Sequence, residues 1–240
     1  FWKWVCSWAV YIRKPSDIGF SDEGYDLPPL RIHDITIASN GDDVARTGEL
    51  FSGGSLSLMD RRSARRETID ARVSETARIV NASVGPFVVW CDLNAESEAL
   101  AKAIDGAVEI RGSQTEAQKE SALASFANGG IRVLVTKPSI AGFGMNWQHC
   151  NQMAFVGLSD SYEQIYQAVR RCWRFGQTSS VDVYVVTHDR EGTVVANIKR
   201  KEKQAMEMAN QMVGHMRDEQ TRELSMSAKT VYEYKRAVES

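Results

Sequence analysis

Residues 132–177 read RVLVTKPSIAGFGMNWQHCNQMAFVGLSDSYEQIYQAVRRCWRFGQ. The stretch opens on a short β-branched run at 132–136, passes a glycine-bearing turn at Gly142 and Gly144, and rises again as an apolar run at 153–156. It ends in an arginine-rich segment with helical spacing. Strand, loop, strand and helix in this order is the layout of an α/β sheet edge that handles a ligand.

Gln167, Arg171 and Arg174 are four and three residues apart, which puts them on one face of a helix, with Ile165, Val169, Cys172 and Trp173 on the other. The apolar face is for the core. Two guanidiniums aimed the same way repel each other unless an anion such as a phosphate or carboxylate sits between them. The alternative is an ordinary solvated arginine face.

The neighbourhood favours the anion. Gln167-Ala168-x-x-Arg171-x-x-Arg174-x-Gly176-Gln177 closely resembles motif VI of Swi/Snf-type ATPases of helicase superfamily two, written Q-A-x-x-R-x-x-R-x-G-Q. Ahead of it, residues 139–147, SIAGFGMNW, resemble their motif V, S/T-x-A-G-G-x-G-x-N-L. The segment between the two motifs aligns with the family pattern without a gap. Farther upstream, Arg111-Gly112-Ser113-Gln114-Thr115 and the helix that follows resemble motifs IV and IVa. The chain also departs from the pattern. Gly157-Leu158-Ser159-Asp160-Ser161-Tyr162 stands where an acidic residue and a W-N-P turn are usual, Ala141 replaces a common glycine, and Pro138 stands where a hydroxyl is frequent.

The resemblance implies an α/β fold, a three-layer RecA-like parallel sheet with helices on both faces and helical N- and C-terminal extensions. It implies a second motor lobe at 31–190, preceded at 1–30 by the tail of a first lobe and a linker, and followed at 191–240 by a helical brace or tail. Arg174 would be the arginine finger, Arg171 its partner on the phosphate or on motif V, and Gln167 would orient the pair. Gly142, Gly144, Asn146 and Gln177 would meet ATP. Thr136, Lys137, Ser139, Arg111, Gly112 and Ser113 would meet DNA. The implied activity is ATP-dependent DNA translocation or unwinding, on duplex DNA, in a phage or bacterial setting. A catalytically silent lobe that only docks nucleic acid or protein is the alternative.

The rest of the chain bounds this reading. Nucleotide hydrolysis of this kind needs a phosphate-cradling loop with a lysine, a carboxylate for magnesium, and arginines from across a cleft. No G-x-x-x-x-G-K-[ST] loop and no D-E-x-H strand occur in the 240 residues. ATP and Mg2+ would therefore be held mainly by a first lobe outside this sequence. A dinucleotide fingerprint at Gly142 and Gly144 fails, because Trp147 occupies its third glycine position and Gly157-Leu158 its acidic one.

Composition is that of an ordinary globular chain, 43% hydrophobic and 25% charged, with a net charge of −2 that gives no global case for nucleic acid. No apolar run approaches the ~18 residues of a membrane span. Cys6, Cys91, Cys150 and Cys172 show no metal-ligand spacing and no disulfide framework, so no metal site is expected and a reducing cytoplasm fits. Residues 1–14 suggest a packed aromatic helix end through Trp4, Trp8, Tyr11 and Ile12, and 15–30 a linker. A strand is expected at 32–38 and a loop at 40–57. Residues 59–81 read as an amphipathic helix with a basic outer face that includes Arg61, Arg62, Arg65, Arg66, Arg72 and Arg78. Further strands are expected at 87–91, 108–110 and 181–186, with helices at 95–104 and 118–126. Residues 191–216 read as a long polar helix whose methionines fill core gaps.

Overall fold

The computed structural model describes residues 4–5, 12–38, 65–141, 145–159 and 161–238, with side chains to 216 apart from those of residues 190 and 193. The expected loop at 40–57, the start of the basic helix at 59–64, Trp8, Tyr11, Gly142 and Gly144 lie outside the described residues. The chain forms two compact units, Leu27–Lys199 and a smaller one built from Phe1–Asp26 and Arg200–Ser240.

In the larger unit, runs of β-branched and apolar residues form six strands. They are β1 (Leu30–Ile37), β2 (Phe87–Trp90), β3 (Ala107–Glu109), β4 (Val133–Thr136), β5 (Gln152–Val156) and β6 (Val181–His188). All pairings are parallel and the order is β1-β6-β5-β2-β4-β3. The helices between them are α1 (Ile69–Asn81), α2 (Asn94–Ala103), α3 (Glu116–Ala127), the short α4 (Pro138–Ala141) and α5 (Tyr162–Val169), and α6 (Gly192–Val238) follows β6.

The sheet is covered on both faces, and the period-two geometry of a strand explains how. Val88 and Trp90 of β2, Leu134 of β4 and Met153 and Phe155 of β5 point into one apolar cluster, with Phe126 of α3, Ala168 of α5 and Ile198 of α6. The alternate residues Phe87, Val89, Val133, Val135, Ala154 and Val156 point into another, with Val73 and Val80 of α1 and Leu100 of α2. Each full burial of a side chain this size contributes ~1.5–3 kcal/mol. This is the three-layer, RecA-like arrangement. Local signals agree with it. Thr115 and Gln118 form a capping box at the start of α3, with Thr115 N–H donating to Gln118 Oε1 at 3.0 Å and Gln118 N–H to Thr115 Oγ1 at 3.3 Å.

Two expectations about the arginines are corrected here. Arg65 and Arg72, read as part of a solvated basic face, turn inward, and Arg72 is fully buried. Arg72 Nη1 donates to Glu96 Oε1 at 2.6 Å, and Arg65 Nε to the same oxygen at 3.2 Å. Arg65 also meets Asp92 at 3.1 Å. Glu191 Oε1 lies 3.0 Å from Arg72 Nε, an ion pair by proximity. The inward turn also explains Gly157. Its φ is +71°, and a Cβ there would lie 2.6 Å from Arg72 Nη1 and 3.0 Å from Arg65 Nε. Glycine leaves room for the two guanidiniums.

The second correction concerns the arginine-rich helix. α5 ends at Val169, so Arg171 and Arg174 lie in the turns beyond it and not on its face.

In the smaller unit, Pro15–Ile18 forms a 3-10 turn whose Asp17 is buried and accepts the Arg13 N–H at 2.9 Å. Arg13 Nη1 donates to Asn210 Oδ1 of α6 at 2.9 Å. Trp4 and Ile12 are exposed, against the expected packed aromatic end. Of the methionines read as core, Met216 is buried, while Met206 and Met208 are exposed.

Cys91, Cys150 and Cys172 are buried free thiols. Burial pushes Cys91 up to about 12, and the neighbouring Cys150 thiol together with burial holds Cys172 well above the ordinary thiol range. Thiolate is the reactive form. At pH 8 these three should resist maleimide in the native protein and react on denaturation, as peptide mapping by mass spectrometry would show.

No helix among the described residues is long and apolar enough to cross a membrane.

Candidate functional site

In a parallel sheet, ligands gather at the carboxyl ends of the strands, most often where the chain switches direction across the sheet. Here the chain runs from β2 to β3 and β4 on one side, then crosses back to add β5 on the other. A narrow crevice at that switch is lined by Trp90, Asp92, Pro138, Phe155, Gly157 and Ser159. A wider cleft of about 430 Å3 at the ends of β1 and β6 is lined by Thr36, Thr187, His188 and Lys199, and none of the residues singled out in the sequence borders it.

The residues singled out in the sequence fall into two groups. The first lies beyond the neighbouring strands β3 and β4. Gly112, Ser113 and Ser139 are exposed there, and Lys137 Nζ donates to Asn94 Oδ1 of α2 at 2.7 Å. Arg111 is engaged by two carboxylates, Glu109 at 2.6 Å and Glu98 at 3.1 Å, so a phosphate would have to compete with both. Thr136 does not belong to this surface. It is fully buried, facing the same side of the sheet as Leu134, and its hydroxyl has no partner among the described residues.

The second group surrounds the two arginines. Arg171 is buried and spends its donors on its own chain, with Nε to Gln167 O at 3.1 Å, Nη1 to Met145 O at 3.3 Å and Nη2 to Gln167 Oε1 at 3.4 Å. Its backbone carbonyl accepts the Trp147 N–H at 2.9 Å. Burial first, and then the like charge of Arg174, lower the Arg171 pKa, which records two cations close together in a partly dry place. Arg174 is half-buried, and its Nε–H is shut off from water with no acceptor among the described residues. Leaving a buried donor unmade costs ~1–3 kcal/mol, more when it is charged. Neither arginine is ion-paired to a carboxylate among the described residues. Asn146 is exposed and lies between Met145 and Trp147, whose backbone groups bond Arg171.

Gln177, expected to meet ATP, is buried and its side chain is engaged by its own chain. Its Nε2 donates to the carbonyls of Gln148, Cys150 and Cys172 at 2.9, 3.1 and 3.3 Å, and its Oε1 accepts the Ser179 N–H at 3.0 Å. Motif reading does not find Gln148, which holds the turn after Arg174, nor the pairing of Trp147 with Arg171. The only sequence signal for the first is Gly176, a glycine placed where a turn would end the helix.

The arrangement suits an oxyanion of a phosphate, with one guanidinium pinned by the fold and a second left unsatisfied. No cluster of three or more metal-ligating side chains occurs among the described residues.

Fold and site together give a RecA-like parallel sheet with two arginines in the turns beyond α5. Residues 72–176 match the family model described as the helicase conserved C-terminal domain. The matched part runs from α1 to the turns that carry Arg171 and Arg174. The pre-mRNA-splicing ATP-dependent RNA helicase prp28 of Emericella nidulans is 25% identical over 185 residues, covering 75% of this chain and 20% of that protein. Its counterpart in Aspergillus terreus is 26% identical over the same length and shares. The chain thus spans about a fifth of the length of these curated relatives. Among solved structures, the C-terminal part of the Fun30 ATPase domain superposes with a TM-score of 0.57 at 12% identity, over 72% of this chain and 90% of that one. A DEAD box protein from Methanococcus jannaschii gives 0.50 at 20% identity, over 56% and 37%. These two share the fold.

Proposed function

We propose that this chain is the second motor lobe of an ATP-dependent nucleic-acid translocase, with Arg174 as the arginine finger that meets the γ-phosphate of an ATP held by a first lobe. The observation that carries the reading is the Arg174 guanidinium, partly desolvated beside a second cation and lacking an acceptor for its buried Nε–H. Such a group is stabilised by an incoming anion and is most useful where negative charge grows in the transition state.

In this reading Arg171 keeps the local potential positive and, held by Gln167 and Met145, sets the floor against which Arg174 extends. Mg2+ and the phosphate-cradling lysine come from the first lobe, because this sequence supplies neither. Residues 1–30 would belong to that lobe and the linker, 31–190 to the motor fold, and 191–240 to a brace. Gly112, Ser113, Lys137 and Ser139 form the track for the phosphate backbone, with Arg111 joining once its carboxylates yield. Positioning contacts of this type carry no sequence information.

The resemblance of residues 167–177 to the Swi/Snf-type motif supports duplex DNA as the track. A second reading, RNA, is favoured by the curated relatives, which are named as RNA helicases. ATP turnover of a polypeptide carrying both lobes, measured with duplex DNA, single-stranded DNA and RNA at fixed salt, separates these. Duplex DNA is expected to stimulate it most. Stimulation by RNA alone would replace DNA with RNA, and no stimulation by any nucleic acid would leave a silent docking module.

A further inference from the structure

Gln148 carries none of the motif signatures, yet it grips the element that aims Arg174. Its Nε2 donates to the carbonyl of Phe175 at 2.6 Å. That carbonyl belongs to the middle peptide of a four-residue turn, closed by the Gln177 N–H donating to Arg174 O at 3.0 Å. Gly176, third in the turn, has φ +91°, the sign a type II turn demands at that place. A Cβ on Gly176 would lie 2.9 Å from Gln148 Nε2, so the glycine also lets the amide approach. From the opposite direction Gln177 Nε2 returns to the carbonyl of Gln148 itself at 2.9 Å. The two glutamines clasp the turn between them, and Arg174 is its first residue.

The clasp also joins two parts of the site. Gln148 continues the segment whose Met145 carbonyl and Trp147 N–H hold Arg171 at 3.3 and 2.9 Å. That segment includes the exposed Asn146. A shift of this segment is therefore felt at both arginines.

We infer that Gln148 is a positioning residue for Arg174, fixing the facing of the Phe175-Gly176 peptide and so the direction of the guanidinium; this rests on the proposed role of Arg174. Gln148 is solvent-exposed, so its removal leaves the core untouched. A catalytic group displaced by about 1 Å loses on the order of 10²-fold in rate.

The test is the nucleic-acid-stimulated ATPase of the two-lobe polypeptide. Gln148→Ala and Gln148→Met, the second keeping bulk without the donor, should each lower kcat roughly 10- to 100-fold. The KM for ATP and the thermal midpoint should hold. The double variant Gln148→Ala/Arg174→Ala should be no slower than Arg174→Ala alone, because both changes disable one group. Wild-type kcat in the Gln148 variants beside an inactive Arg174→Ala would overturn the inference and leave the finger standing. Multiplying losses in the double variant would overturn it too. Full turnover in Arg174→Ala would remove the finger and the inference together.

Discussion

Arg174→Ala in a polypeptide that carries both lobes is expected to lower stimulated ATP hydrolysis by about 10³-fold or more. Nucleotide affinity should change only a few-fold, because the contact strengthens as charge develops on the transferred phosphoryl group and is weak in the ground state. The fold should not suffer. The side chain makes no ion pair among the described residues and leaves one buried N–H unmatched, so truncation removes a cost and opens no cavity in the core. Arg174→Lys should recover little, since an ammonium keeps the charge but not the planar fork of donors. Steady-state kinetics with a thermal melt of each variant checks this, and a fall in kcat that tracks a fall in melting temperature would count against a chemical role.

The second large effect falls on stability. Arg72→Ala should cost about 3–5 kcal/mol in urea unfolding, the usual result of stripping one partner from a buried ion pair. Arg72 is wholly enclosed, bound to Glu96 at 2.6 Å, to Thr68 Oγ1 at 3.3 Å and to the Arg65 carbonyl. Glu96 in turn accepts the N–H groups of Asp92 and Leu93 at 3.0 Å through its second oxygen, so the network joins α1 to the loop that starts α2.

The two buried carboxyls of this network should respond to acid with opposite signs. Burial pushes the Glu96 carboxyl up, but the charges of Arg65 and Arg72 outweigh it and hold it below the ordinary range. Its stabilisation is present above the unfolded value of about 4.3 and is lost as pH falls through the lower folded value. Burial wins at Glu191, which is raised. Its contribution is fully present below the unfolded value and is lost as pH rises through the higher folded one. At pH 7 Glu96→Gln should therefore destabilise, and Glu191→Gln should be neutral or stabilising. Equal losses from both would mean that the network is not partitioned in this way.

Much of the fold can be read from the chain because parallel strands buried on both faces are uniformly apolar. Residues 87–91, 133–135 and 153–156 announce themselves, and the helices between them follow from 3.6-residue spacing. Thr136 reads as a surface hydroxyl, although it continues the alternation of β4 and faces the same side as Leu134. The end of α5 is harder to see. Nothing in the RRCWR sequence of residues 170–174 breaks a helix; what stops it is a tertiary contact, the Trp147 N–H and Met145 carbonyl capturing Arg171. The inward turn of Arg65 and Arg72 is equally hidden, since charged side chains are placed outside by default and their partner Glu96 is 24 residues from Arg72. The arginine pair is visible as a pattern, but its asymmetry is not. One guanidinium is tied down and the other is left wanting, and only the hydrogen bonds separate them.

The role proposed for Arg174 is to meet a phosphate brought by another lobe. The structure of the two-lobe polypeptide with nucleic acid, ADP, magnesium and aluminium fluoride tests it most directly. A guanidinium nitrogen of Arg174 is expected within about 3 Å of a fluoride. An Arg174 paired with a carboxylate of its own lobe, or turned away from the closed cleft while the analogue is bound, would contradict it.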